Sequence, residues 1–327
     1  MIALTGATGH LGHVLVQQLL AAGERVRVVT RGSSDVTGLD LAKVERVIAD
    51  LTDVDALRAA FTGASIVYNA AAKISFGMDT REELYRVNVE GTRCVVEAAS
   101  AAKVDRLVHV SSIEAFPLTI GPYPITEALG IDPEHTVMEY GRTKALGTRI
   151  VLDAARAGLD AVVVCPTAFI GPPDFRLSPM GRLVFDFARG RLPAYVDGGF
   201  DFADVRDISR GVILAGTGGR SGELYLLSGR YASVPDLMEL LSRLCGRRKP
   251  IFCLPIKVIA SLLPPVELYY RITRRPPRFT RDSLHILSYG IRVDSSKAVR
   301  ELGYSVRPLE VTLSDTLAWF SEQGMLR

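Results

Sequence analysis

A glycine-rich turn directly after the first apolar run constrains the fold of this chain more than any other feature. Residues 5–12 read T-G-A-T-G-H-L-G and place three glycines three residues apart, between a predicted strand at 2–4 and a helical pattern. Glycine lets a backbone approach a phosphate closely, and the first turn of a helix offers unpaired N–H groups and a partial positive charge. The turn therefore predicts a dinucleotide site, with a tight structural turn as the alternative; the residues concerned are Gly6, Thr8, Gly9, His10, Leu11 and Gly12.

Short β-branched runs alternate with helical patterns through the first half of the chain, which is typical of a sheet built from βαβ units. Six parallel strands are predicted, at 2–4, 25–30, 44–49, 65–69, 106–111 and 161–165. Thr52 with Asp55, and Thr80 with Glu83, are predicted to begin two of the intervening helices.

Turn-rich segments predominate after Pro166, with one short strand predicted near 223–227. We therefore expect an α/β fold of the Rossmann type, in which a doubly wound parallel sheet carries a second, smaller C-terminal lobe. The expected division is a dinucleotide-binding domain at 1–165 and a substrate-binding lobe at 166–327, interleaved with returning pieces of the sheet.

The end of the second predicted strand bears on which dinucleotide is bound. An acidic residue there accepts a hydrogen bond from the ribose 2′-OH of NAD, but this chain has Arg31, whose guanidinium suits a 2′-phosphate. The prediction is NADP, with NAD as the alternative and a solvated strand end as the other interpretation of Arg31. Asp50 and Leu51 follow the third strand and are predicted to border the adenine, with a helix cap as the alternative for Asp50.

Tyr140 and Lys144 are four residues apart, so they share one face if this stretch is helical. A positive charge at ~4 Å with an effective dielectric of ~20 is worth about 4 kcal/mol, enough to lower the pKa of a phenol by roughly 3 units. Tyr140 would then exchange protons near neutral pH. Ser111 and Ser112 end the fifth strand, where a hydroxyl can hydrogen-bond a substrate carbonyl.

These motifs, in this order, resemble the extended short-chain dehydrogenase/reductase family of the NAD-dependent epimerase/dehydratase superfamily. The glycine turn is followed by Asn69-Ala70-Ala71, by Asn88 within an N-V-E-G-T run, by the two serines and by YxxxK at 140–144. Segments 166–172, 202–208 and 297–304 are similar to further family motifs. The resemblance spans nearly the whole chain.

The resemblance implies a role for each matching residue. Tyr140 would be the acid/base, Lys144 would bind the ribose and tune it, and Ser112 would hold the carbonyl, with Ser111 as the alternative. Asn88 would support a proton relay, or else bond backbone as an ordinary helix residue. Cofactor contacts are implied for Asn69, Ala70, Ala71, Tyr140, Lys144, Pro166 and Ile170.

Three positions depart from other branches of the family that this chain resembles. Ile113 stands where dehydratases carry the aspartate of an Asp-Glu pair, and an isoleucine cannot protonate a leaving hydroxyl. Ala168 and Phe169 stand where sugar-nucleotide enzymes commonly place an asparagine. The run at 111–114 and the Leu-Gly-Tyr ending at 302–304 resemble the dihydroflavonol-reductase and 3β-hydroxysteroid-dehydrogenase branch. That resemblance implies hydride transfer between nicotinamide and a ketone or alcohol on a bulky hydrophobic substrate. A sugar-nucleotide 4-epimerase with tightly bound NAD and a non-catalytic dinucleotide sensor are the alternatives.

Composition limits the partners. With 39 Lys plus Arg against 36 Asp plus Glu, the net charge of +3 does not suggest nucleic-acid binding. The four cysteines form no CxxC pair, no metal site is expected, and the lack of a signal-peptide pattern favours a cytoplasmic location. An apolar stretch at 251–266 and five arginines at 271–281 leave open a peripheral membrane contact, a phosphate-bearing substrate or a solvated basic face. A homodimer is also left open.

Overall fold

A seven-stranded parallel sheet organises the computed structural model, which describes residues 1–74, 80–118, 124–256, 284 and 287–326. Its strands are β1 (Ile2–Thr5), β2 (Val26–Thr30), β3 (Val44–Ile48), β4 (Ile66–Asn69), β5 (Arg106–Val110), β6 (Ala161–Pro166) and β10 (Leu224–Leu227). The spatial order is β10-β6-β5-β4-β1-β2-β3, and every pairing is parallel. The chain therefore winds outward from β1 in both directions, and the predicted doubly wound Rossmann-type fold is confirmed.

Helices cover both faces of this sheet. They are α1 (His10–Ala21), α2 (Val54–Phe61), α3 (Arg81–Tyr85), α4 (Gly91–Ala101), α5 (Glu139–Arg156), α6 (Pro179–Ala188), α7 (Val205–Gly218), α8 (Val234–Cys245), α9 (Ser296–Leu302) and α10 (Leu309–Glu322). Leu107 and Val108, neighbours on β5, belong to different core clusters because alternate strand residues face opposite sides. One cluster packs against α2, α4 and α5, and the other against α1 and α7.

Five further strands lie in the second half of the chain. They are β7 (Ala168–Ile170), β8 (Ala194–Val196), β9 (Gly199–Asp204), β11 (Arg230–Ser233) and β12 (Phe252–Leu254). β9 lies between β7 and β11, and β8 pairs with β12. The short strand predicted near 223–227 joins the main sheet as β10, beside β6. The division at residue 166 stays a prediction.

Local sequence signals placed one helix start correctly and another incorrectly. Thr80 caps α3 by accepting a hydrogen bond from the backbone N–H of Glu83, as expected. The cap of α2 is Asp53, which accepts from the N–H of Ala56, so the start predicted at Thr52 is wrong. Thr52 instead donates to Asp50, at 2.7 Å from its hydroxyl and 3.0 Å from its backbone N–H. An Asx turn therefore precedes the helix, and Asp50 is not its cap.

The motif at 202–208 has a structural basis. Asp204 caps α7 and lies 2.7 Å from the guanidinium of Arg206, which also pairs with Asp315 at 2.7 Å. Arg307 pairs with the buried carboxylate of Asp207 at 2.9 Å. These ion pairs join α7 to α10 and to the connection before it.

Two predicted features lie partly or wholly outside the described residues. The apolar stretch at 251–266 is described only as far as residue 256, and the arginines at 271–281 are not described. Within the described ranges no helix is long and apolar enough to cross a membrane. The same residues contain no group of three or more His, Cys, Asp or Glu side chains that could hold a metal ion.

Candidate active site

The glycine turn joins β1 to α1 with backbone packed directly against backbone. Gly6 has a positive φ of 77°, and a Cβ on it would lie 2.5 Å from the carbonyl carbon of Ala70. A Cβ on Gly12 would lie 2.1 Å from the carbonyl oxygen of Gly6. Gly9 is the N-cap of α1, with no side chain to satisfy the first N–H groups and no acidic residue in the first turn. This cradle fits the diphosphate of a dinucleotide, because the helix start offers it donors and a partial positive charge.

Gly12→Ala is expected to displace this turn. The added methyl cannot coexist with the Gly6 carbonyl, so we expect a loss of roughly 2 kcal/mol of stability and at least tenfold weaker dinucleotide binding. Thermal unfolding and a fluorescence titration with NADPH measure both effects. Gly218→Ala is the matched control, because a Cβ there meets nothing within 4 Å. Equal behaviour of the two variants would contradict the assignment of the cradle.

A buried chain of hydrogen bonds fixes the carboxyl ends of three adjacent strands. The hydroxyl of Thr5 donates to Asn69 Oδ1 at 2.6 Å, and Asn69 Nδ2 lies 3.1 Å from His109 Nδ1. Burial, with a smaller contribution from Lys144, lowers the pKa of His109 well below its usual value. The neutral ring then accepts from Asn69 through Nδ1. His109 was not predicted as a site residue, although a histidine in the last positions of a buried strand is a signal that could have identified it.

Ser112, Tyr140 and Lys144 come together at the carboxyl end of β5. Lys144 is 2% exposed, and its ammonium donates to the carbonyl of Val110, the last residue of β5, at 2.7 Å. Tyr140 is 9% exposed one turn earlier on α5, and the side chain of Ser112 lies near enough to its phenol to lower the pKa of that phenol. Gly141 allows this approach, because a Cβ there would lie 2.3 Å from the carbonyl oxygen of Glu114. The three predicted groups thus occupy one corner of the sheet.

The expected acidification of Tyr140 is not found in this structure. Burial raises the pKa of the phenol above its usual value, the carboxylate of Glu114 raises it further, and the Ser112 side chain opposes them. Lys144 is itself driven toward the neutral form, because burial lowers its pKa to about 8. Both groups lose hydration on burial, an effect that the four-residue spacing of Tyr140 and Lys144 in the sequence does not reveal.

The two serines have different partners. Ser111 is 2.6 Å from the hydroxyl of Thr148, which donates to the carbonyl of Lys144 at 2.8 Å, so its hydroxyl joins β5 to α5. Ser112 faces Tyr140 and accepts from the N–H of Glu114 at 3.2 Å. This geometry favours Ser112 over Ser111 as the group that holds a substrate carbonyl.

Asn88 lies in a π-helical turn, Arg86–Glu90, between α3 and α4. Its side-chain amide accepts from the N–H of Lys73 at 2.8 Å and donates to the Lys73 carbonyl at 2.9 Å. It also donates to the hydroxyl of Thr143 at 3.0 Å, next to Lys144. Asn88 therefore connects the loop after β4 to α5. The proton-relay role stays a prediction.

The residues predicted to surround the adenosine lie at the ends of β2 and β3. Arg31 is exposed directly after β2. The Thr52 hydrogen bonds lower the pKa of Asp50, and the charges of Arg86 and Arg31 contribute, so Arg31 and Asp50 interact electrostatically. Leu51 packs against α4, where a Cβ on Gly91 would lie 3.2 Å from it. These positions are compatible with an adenosine site.

The remaining predicted contacts connect the glycine turn to β7. The Nε2 atom of His10 lies 2.8 Å from the carbonyl oxygen of Gly171, so Nε2 carries the proton of that bond. The His10 ring packs 5.6 Å from the ring of Phe169. Ile170 ends β7 and is buried, and Pro166 ends β6 opposite Leu227 of β10. The second half of the chain thus reaches the start of α1.

Comparison with known proteins agrees with this geometry. The model of the NAD dependent epimerase/dehydratase family matches residues 2–227. The chain is 41% identical to sterol demethylase protein B of Methylococcus capsulatus, over 99% of both chains. It is 31% identical to a protein of Synechocystis that carries a dihydroflavonol 4-reductase name, over 99% of this chain and 95% of that one. The crystal structure of gox2253 has a TM-score of 0.87 at 31% identity and covers 100% of this chain and 99% of its own. The chain therefore belongs to the NAD dependent epimerase/dehydratase family, and it is an NAD(P)-dependent enzyme of the extended short-chain dehydrogenase/reductase type.

Proposed function

We propose that this enzyme uses NADP to interconvert a ketone and an alcohol on a bulky hydrophobic substrate. The observation that carries the proposal is the convergence of Ser112, Tyr140 and Lys144 at the end of β5. β4 and β1, the next strands of the sheet, lead to the glycine turn. Ligands of doubly wound sheets bind in the crevice where the strand order reverses, which here is between β1 and β4.

A bound nicotinamide supplies or accepts the hydride. The chain's own residues manage the proton and the oxygen. The raised pKa of Tyr140 keeps its phenol protonated at neutral pH, which is the form that donates a proton to a carbonyl oxygen during reduction. The Ser112 hydroxyl donates a second hydrogen bond to that oxygen. Lys144 provides a positive charge one helical turn away, which stabilises the phenolate that remains.

The choice of NADP rests on Arg31, and one substitution tests it. Arg31→Ala is expected to weaken NADPH binding about tenfold and to leave NADH binding unchanged, because only NADPH presents a 2′-phosphate to the guanidinium. Dissociation constants for both nucleotides provide the measurement. Arg25→Ala removes the same charge from an exposed position just before β2 and serves as the control. A wild-type enzyme that prefers NADH would contradict the assignment.

The hydrophobic substrate class is supported by the relatives and by the residues near the cofactor site. By their names, the relatives act on a sterol and on a dihydroflavonol. Ala168 and Phe169 replace the polar residue expected for a sugar nucleotide, and Phe169 lies beside His10. NADPH oxidation with a 3-ketosteroid, a flavanonol, an aryl ketone, an acyl-CoA and a sugar nucleotide tests this class. Greater turnover with the sugar nucleotide or the acyl-CoA than with the three ketones would overturn it. Peripheral membrane contact and a homodimer stay predictions.

A further inference from the structure

The segment at 171–176 lies across the start of α1 and reaches the loop that follows β2. At its first residue, the carbonyl of Gly171 accepts from His10. Further along, the ring of Phe175 lies 4.8 Å from the ring of His13 on α1. A Cβ on Gly38 would lie 2.6 Å from the Phe175 ring, so this aromatic side chain packs tightly against the loop after β2. Three parts of the chain that are distant in sequence therefore meet beside the glycine turn.

Arg176 brings a positive charge to this junction. Its Nη2 donates to the backbone carbonyl of Asp35, and the same nitrogen lies 3.8 Å from the Asp35 carboxylate. Asp35 is four residues beyond Arg31 in the same loop. The pKa of His13 is lowered mainly by burial; a backbone hydrogen bond to Gly38 opposes this, and the charges of His10 and Arg176 lower the pKa further. The guanidinium is therefore close enough to α1 to influence its first turns.

A small cleft separates Arg176 from the glycine turn. It is lined by Thr8, Gly9 and His10 of the turn and by Thr37 and Arg176. His13 also lines it, is 4% exposed and has no hydrogen-bond partner for Nε2 among the residues that the structure describes. A buried polar atom without a partner is costly unless a water or a ligand atom meets it, and the cleft, with a volume of ≈ 10 Å³, has room for about one such atom.

An arginine and an aspartate line the cleft, and their polar atoms differ in how many partners they have. The carboxylate of Asp174, which also lines it, is 2% exposed and accepts from the N–H of Ser178 at 2.8 Å and from its hydroxyl at 2.6 Å. Those hydrogen bonds engage the Asp174 carboxylate at the start of α6. The side chain of Arg176, by contrast, is 48% exposed, and the contacts described for its guanidinium involve only Nη2. Within the described part of the chain the Nε and Nη1 groups of Arg176 have no hydrogen bond, and a planar guanidinium in the same cleft as a helix start is suited to a phosphate oxygen.

We propose that Arg176 binds a phosphate of the dinucleotide and holds the segment at 171–176 over it. The inference rests on the proposed function only in requiring a dinucleotide at the glycine turn. Arg176 acts here as a binding residue from the second half of the chain, outside the motif that predicts the cofactor site. The phosphate is either the diphosphate, which NADPH and NADH share, or the 2′-phosphate, which only NADPH carries.

The test compares Arg176→Met with the wild type. Trp319 is the single tryptophan of the chain and lies 5.2 Å, edge to face, from Phe175, so its fluorescence reports on this segment during titration with NADPH or NADH. We expect about tenfold weaker binding in the variant. Weaker binding of both nucleotides assigns Arg176 to the diphosphate, and weaker binding of NADPH alone assigns it to the 2′-phosphate. Arg182→Met, which removes an exposed arginine from α6, is the matched control.

Two further measurements separate binding from a structural role. The melting temperature of the nucleotide-free variant is expected to stay within about 2 °C of the wild type, whereas the stabilisation by added NADPH falls with the affinity. Arg176→Lys is expected to recover part of the affinity, because it restores the charge without the planar fork. Unchanged dissociation constants for both nucleotides, or a loss of affinity explained by unfolding of the free variant, would overturn the proposal. Failure of the wild type to bind either nucleotide would instead refute the proposed function.

Discussion

Tyr140→Phe is expected to lower kcat for ketone reduction about 1000-fold, because the phenol is the group placed to donate a proton to the carbonyl oxygen. The substitution keeps the aromatic ring at the start of α5 and removes only the hydroxyl near Ser112. NADPH binding should change by no more than about twofold, since the phosphates and adenosine are held elsewhere. Initial rates of NADPH oxidation and a separate binding titration measure the two quantities.

The control for Tyr140→Phe is Tyr85→Phe, which removes a phenolic hydroxyl from an exposed ring on α3. That variant should retain the full rate. If Tyr140→Phe also retained it, the proton would have to come from another group and the assigned mechanism would be wrong. A parallel loss of NADPH binding in the Tyr140 variant would point to a binding defect and would contradict the role as well.

Lys144→Met is expected to abolish measurable turnover and, unusually for an active-site change, to stabilise the free protein. Burial lowers the pKa of Lys144 from 10.5 to about 8, which at neutral pH corresponds to ~3 kcal/mol of disfavoured charge in the folded state. The lost hydrogen bond to Val110 costs about 1 kcal/mol. A net gain of about 2 kcal/mol would raise the melting temperature by roughly 4 °C.

The pH dependence of this gain distinguishes it from an unrelated stabilisation. Between the folded pKa of about 8 and the usual value of 10.5, the unfolded chain binds more protons at Lys144 than the folded chain does. The contribution of Lys144 to wild-type stability therefore rises with pH across that window, and the advantage of Lys144→Met is greatest below pH 8 and shrinks toward pH 10.5. Lys43→Met, at an exposed position before β3, should show neither effect. A destabilised Lys144→Met variant at pH 7 would contradict the buried charge.

Much of the fold could be predicted because its signals are local. The β-branched run that forms β6 is buried along its whole length, as is typical of an internal strand of a parallel sheet. The spacing of the glycines between β1 and α1 likewise indicates the tight turn that the structure has there. The boundary at Thr52 was wrong because Thr52 and Asp53 both favour a helix cap, and only the hydrogen bonds to Asp50 and Ala56 decide between them.

The site was harder to predict because its energetics depend on tertiary packing. The four-residue spacing of Tyr140 and Lys144 correctly predicted that both lie on α5. The pKa of Tyr140 shifts in the opposite direction to the expected one, because folding buries the phenol and brings the Glu114 carboxylate near it. Arg176 was missed for a similar reason. It lies more than 130 residues from Asp35 in sequence, and no local pattern indicates that their two loops meet. His109 had a local signal, but its partner Asn69 lies on a neighbouring strand.

Hydride transfer itself is the most direct test of the proposed function. The wild type would be incubated with NADPH carrying deuterium at both C4 positions of the nicotinamide, separately with the 3-ketosteroid, the flavanonol and the aryl ketone. We expect one deuterium on the carbinol carbon of at least one product, and labelled product to form about 1000-fold more slowly with Tyr140→Phe. The absence of deuterium from every product, together with a sugar nucleotide that changes configuration while the protein retains its cofactor, would contradict the account.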